Sequence, residues 1–143
     1  HKLCAEFYYL VKRKEIVMEI EQLLFDMGCL KATDNYEYNL DNYGIKWKIE
    51  KNVTGEMMYF HASKAIKAVI DEARIRKIID QLNKTQIRCI YDFDAETNSI
   101  TMRETIIVVV RSMSKTKLQQ IISGLGSELL AVCFMVEMAG EDE

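Results

Sequence analysis

The stretch Tyr36-Glu37-Tyr38-Asn39-Leu40-Asp41-Asn42-Tyr43-Gly44-Ile45-Lys46-Trp47-Lys48-Ile49-Glu50 decides how this chain folds. Tyr36, Tyr38 and Leu40 alternate with Glu37, Asn39 and Asp41; Ile45, Trp47 and Ile49 alternate with Lys46, Lys48 and Glu50. Successive strand side chains point to opposite faces, so a period of two describes strands with one buried and one wet face. Asn42-Tyr43-Gly44 supplies the turn between them. Asn52-Val53-Thr54-Gly55 is a second turn signal, and Met57 to His61 reads as a third strand of the same meander.

Helical spacing flanks this meander. Upstream, Ile16, Ile20, Leu23, Leu24 and Met27 share one stripe of a helix from Lys12 to Met27, closed by Gly28. The preceding residues 1–11 stand apart as an N-terminal segment. Phe7-Tyr8-Tyr9-Leu10-Val11 could extend the helix or pair as an edge strand. Downstream, Ile66, Val69, Ile70, Ala73, Ile78, Ile79 and Leu82 predict a helix from about Ser63 to Asn83, unless the third strand runs on toward Val69. Arg88 to Phe93 reads as a fourth strand. Ile100 to Arg111 reads as a fifth, whose five consecutive β-branched residues, Ile106 to Val110, suit a strand covered on both faces. Ser114 then caps a long final helix. Leu118, Ile121, Ile122, Leu125, Leu129, Val132, Cys133 and Val136 form one apolar face of it. Leu130, Phe134 and Met138 form a second line on another face. Gly124 and Gly126 mark either a break in that helix or a close approach of another backbone.

The fold expected is therefore α+β: an antiparallel β-sheet of about five strands with three helices, in the order α-β-β-β-α-β-β-α. The chain has 143 residues, 49% of them apolar and 29% charged, enough for one domain over residues 12–140 with a real core. The 19 Lys and Arg against 22 Asp and Glu leave a net charge of −3, and the basic residues are interleaved with acids, so no nucleic-acid partner is expected. No uninterrupted apolar run reaches bilayer-spanning length, and no membrane association is expected. Cys4, Cys29, Cys89 and Cys133 have no metal or redox spacing. They read as reduced thiols of a cytoplasmic protein, serving as small buried hydrophobes.

Chemistry is sparse. Asp92, Asp94, Glu96 and Asn98 alternate like the start of a calcium loop, but Thr97 stands where glycine is needed and Arg103 where a bidentate Glu belongs. An acidic hairpin turn is the simpler reading. His61 has no second ligand at metal spacing and no nucleophile motif beside it. Neither a metal, nor a cofactor, nor a catalytic residue is expected. Glu104 alone shares a strand face with Ile100, Met102, Ile106 and Val108. It is either a carboxylate meeting water at a sheet edge or a functional acid.

The order of elements resembles the type III secretion chaperone fold. Ile75-Arg76-Lys77-Ile78-Ile79-Asp80-Gln81-Leu82-Asn83, then an aromatic strand, an acidic turn, a β-rich strand and a long helix opened by Ser114, resemble the YbjN-like family of bacterial proteins, loosely called sensory transduction regulators. The likeness spans about residues 12 to 138, with Leu82-Asn83 and the acidic turn its specific features. It implies a non-enzymatic, chaperone-like or regulatory domain, a homodimer that offers an apolar surface to a protein partner. The residues for that role are Leu130, Phe134 and Met138 on the final helix, with Tyr36, Tyr38 and Trp47 on the sheet. The alternative is a sensor or carrier of a small ligand held between sheet and final helix.

Overall fold

A computed structural model describes residues 4–8, 21–32, 37–52, 57–67, 71–85, 88–104, 108–109 and 113–141. The strands are β1 (Leu30–Lys31), β2 (Glu37–Asn42), β3 (Ile45–Lys51), β4 (Met57–Ala65), β5 (Cys89–Asp94), β6 (Ser99–Glu104) and β7 (Val108–Val109). The helices are α1 (residues 21–26), α2 (Glu72–Thr85) and α3 (Lys115–Glu141), with a separate helical turn at residues 4–8. The described strands form one antiparallel sheet in the order β1-β2-β3-β4-β6-β5, with β7 also paired to β4.

The hairpin forms as its alternation predicts. Asn42 pairs with Ile45, leaving Tyr43-Gly44 as a two-residue loop. Both have positive φ, 53° and 74°, the type I′ geometry that matches strand twist and favours glycine. Helix α1 ends at Gly28, where Gly28 N–H donates to the Phe25 carbonyl and Cys29 N–H to that of Leu24. The rest of the helix expected from Lys12, and Tyr36, lie outside the described residues.

At Ser63 the structure follows the alternative of a longer third strand rather than the helix start. Ser63 lies inside β4, paired to Lys46 and Thr101, and does not cap a helix. β4 has a ladder on both sides, so pairing carries it to Ala65 despite the helix-compatible apolar spacing beyond. α2 starts after Asp71, whose Oδ1 accepts from Ala73 N–H at 3.3 Å. Of the long fifth strand the described parts are β6 and β7, both paired to β4, with His61 opposite Arg103 and Met58 opposite Val108. The rest of the β-branched run, Ile106, Ile107 and Val110, lies outside the described residues.

The core lies on the sheet face that α3 covers. Ile45, Trp47, Ile49, Met58, Phe60, Ala62, Tyr91, Phe93, Ile100 and Met102 face Leu118, Ile122, Leu125, Leu129, Val132 and Val136. Ser114 caps α3, its Oγ accepting from Lys117 N–H at 3.1 Å. The glycines do not break the helix: a Cβ on Gly126 would stand 3.4 Å from the Trp47 ring, so the close neighbour there is a side chain of β3. By length and composition α3 is apolar enough to cross a bilayer. That differs from the reading by uninterrupted runs, because Ser, Gln and Gly break the run without making the whole helix polar. Here its buried stripe is seated on the sheet, the arrangement of a core helix.

Both edges of the sheet are short or covered. β1 has two residues. Along β5, the Asn83 amide of α2 donates to the Tyr91 carbonyl at 2.8 Å and accepts from Tyr91 N–H at 2.9 Å. Arg76 reaches the Phe93 carbonyl at 3.4 Å. Side chains of α2 thus replace the missing neighbouring strand.

Candidate binding surface and the groove beneath helix α3

Over the N-terminal half of α3 the solvent side is polar: Lys115, Thr116, Lys117, Gln119, Gln120 and Ser123 are exposed. Beyond Gly126 it becomes apolar. Leu130 is 38% exposed, Phe134 63%, Met135 43% and Met138 43%. Leu130, Phe134 and Met138 recur every four residues, which aligns them on one helical line. The structure therefore places the three residues expected on the final helix together at the surface. Met135 joins them; its i+4 spacing from Ala131 was the available signal.

The sheet residues named for the same surface are elsewhere. Tyr38 and Trp47 are each 3% exposed. Trp47 lies under Gly126 of α3. The Tyr38 hydroxyl donates to Glu21 Oε1 of α1 at 2.9 Å. The alternation that put them on one face put them on the buried face, and the helices close over it. They are core residues, not half-exposed contacts.

Glu21 binds α1 to the sheet. Its Oε1 also accepts from Lys51 Nζ at 2.9 Å, a lysine buried on β3 whose ammonium stands 5.5 Å from the Tyr38 ring centre. Bonds from Lys51 and Tyr38 hold the Glu21 carboxyl down to a pKa of about 2. The network meets the needs of a buried ammonium, and that is a structural task.

Between α3 and the β2–β3 hairpin runs an open groove of about 760 Å³, lined among others by Tyr43, Ile45, Trp47, Ile122, Ser123 and Leu130. Leu130 belongs both to its rim and to the exposed stripe.

Glu104 does not meet water. Its side chain is 5% exposed, with Oε1 3.7 Å from Arg88 Nε, and Oε2 has no hydrogen-bond partner. Arg88, just ahead of β5, reaches it along the strand paired to β6. His61 is on the opposite sheet face, 3.9 Å from Glu50, so His61 and Glu104 do not form an acid–base pair. The acidic turn is tied into the fold: Asp94 Oδ1 accepts from Glu96 N–H, and Asn98 Nδ2 donates to the Ile66 carbonyl. Cys29, Cys89 and Cys133 are buried free thiols, and burial raises their pKa values to about 11, 12 and 11.

No family profile and no curated protein matches the sequence. A solved structure does match the fold: the crystal structure of YbjN, a candidate transcription regulator from E. coli. The match covers 85% of this chain and 90% of that one, with a TM-score of 0.54 and 12% sequence identity. The fold is YbjN-like. Within it, Asn83, at the end of the segment Ile75 to Asn83 that carried the sequence resemblance, caps the edge of β5 with its side chain. At this identity the likeness is one of fold, and what the YbjN-like fold does in this chain has to be argued from its own surface.

Proposed function

We propose that this chain is a non-catalytic regulatory or chaperone-like module that works by binding polypeptide, and that its first partner is a second copy of itself. One observation carries the reading. Leu130, Phe134, Met135 and Met138 form an exposed apolar stripe on α3, on the side away from the sheet. Apolar surface rimmed by polar residues is where proteins meet partners, and the two methionines suit a surface that adapts to what it meets. The net charge of −3 favours a protein over nucleic acid. The description of YbjN as a candidate regulator agrees with a binding role.

Light scattering over a range of micromolar concentrations tests this. The wild type should have the mass of two chains, and Phe134→Glu the mass of one, with unfolding unchanged. A wild type that is monomeric throughout overturns the homodimer.

The groove beneath α3 favours a second reading, a small-ligand carrier. It combines the apolar Ile45, Trp47 and Ile122 with the polar Ser123 and Gln119. Native mass spectrometry of protein purified without denaturation separates the readings: a retained small molecule supports the carrier, and its loss in Ser123→Trp locates it in the groove.

A further inference from the structure

Cys89 of β5 and Glu104 of β6 are paired in register on the sheet face that α3 covers. The Glu104 side chain is almost wholly buried, and its Oε2 lacks a hydrogen-bond partner. Arg88 forms an ion pair with the other oxygen, its Nε 3.7 Å from Oε1. From α3, Glu128 brings a second carboxyl, whose Oε2 accepts from the Cys89 thiol at 3.5 Å. The Tyr91 hydroxyl is also buried without a hydrogen-bond partner, within the electrostatic reach of Cys89, Glu128 and Cys133. On this side β4 presents Met58, Phe60 and Ala62, and further along Lys64, in register with Ile100 and within electrostatic reach of Cys133, as is Glu137 of α3. Among the described residues, then, the groups facing the site are Arg88, Cys89, Tyr91, Glu128 and Cys133, with Lys64 and Glu137 beyond Cys133.

An ionised carboxylate is expensive to bury, and two across one seam are worse. We propose that Glu104 and Glu128 form a proton-binding latch between β6 and α3: with Glu104 protonated the helix is seated, and loss of that proton loosens α3 from β5 and β6. Cys89 links the two sides of the latch. Its thiol donates to Glu128 and so ties the helix carboxyl to the strand paired with Glu104. Burial raises the Glu104 pKa; Arg88 opposes this, and the charge of Glu128 adds to the rise. A carboxyl whose folded pKa is raised contributes stability that is fully present below its unfolded value, about 4.3. That contribution is lost as pH climbs through the folded value.

The test is denaturant unfolding of the full chain from pH 4 to 8, with amide exchange along α3. In the wild type the unfolding constant should rise by up to about tenfold per pH unit from about pH 4.5 until Glu104 has titrated. Glu104→Gln should lack that rise, and Glu128→Gln should end it at lower pH. Exchange corrected for pH should quicken first around Leu125 to Cys133. Should Glu104→Gln not fold, carboxyl-carbon NMR of the wild type reads the Glu104 titration directly. Three results overturn the latch: an ordinary Glu104 titration near 4.3, a pH slope in Glu104→Gln equal to wild type, or exchange that quickens equally in sheet and helix.

Discussion

Replacing Asn83 by Ala should destabilise the chain by about 1–3 kcal/mol and expose a new pairing edge. The Asn83 amide makes two bonds of good length to the backbone of Tyr91, 2.8 and 2.9 Å, at a partly buried position. Each such bond contributes about 0.5–1.5 kcal/mol net, and more where the abandoned group cannot reach water. Without them the Tyr91 N–H and carbonyl are left on an outer strand of the sheet. Asn83→Asp is the sharper control. A carboxylate keeps an acceptor for Tyr91 N–H but turns a second acceptor toward the Tyr91 carbonyl, so it should recover no more than half of the loss. Urea unfolding measures the stability, and light scattering at raised concentration measures edge-to-edge association. Asn83→Ala within about 0.5 kcal/mol of wild type, the range of an ordinary surface change, would refute the edge-cap reasoning.

Two neighbouring leucines on α3 should behave oppositely. Leu129→Ala, at a position with no exposure, should cost about 2–5 kcal/mol in denaturant unfolding, whereas Leu130→Ala should cost about 0.5 kcal/mol and weaken self-association instead. Glu21 governs the acid limb. Its carboxyl is held at about 2 in the folded chain, so its contribution is present above the ordinary carboxylate value of about 4.3 and is lost as pH falls toward 2. Glu21→Gln, followed by circular dichroism between pH 5 and 2, should remove that part of the acid sensitivity.

What the sequence made legible was local. Alternation over residues 36–50 fixed the β2–β3 hairpin down to the Tyr43-Gly44 loop, and Gly28 and Ser114 ended and began helices where caps belong. The errors came where distant segments decide. Residues 63–70 carry apolar spacing that suits either period, and β4 extends through Ser63 because β3 and β6 pair with it there. That β6 and β7 share one partner strand, β4, is likewise not encoded by periodicity within residues 100–111. Tyr38 and Trp47 were assigned to the correct face but not to the correct environment, since no strand pattern says which helix will close over it. Glu104 is the same case. Its inward face was readable beside Ile100 and Met102, but the approach of Arg88 and Glu128 required β5 and α3 to be in place.

Helix α3 contains its own control for the binding argument. Both halves bury a stripe on one sheet, from Leu118 and Ile122 through to Val132 and Val136. In the first half the solvent side is built from Lys, Thr, Gln and Ser, so seating this helix on this sheet does not require an apolar outer face. In the second half the same side carries Leu130, Phe134, Met135 and Met138. These add nothing to the monomer's core that polar residues do not provide earlier in the helix. An exposed aromatic and two methionines also give a destabilised chain more surface with which to aggregate. A requirement of the fold cannot explain them, and a second polypeptide laid along the helix can.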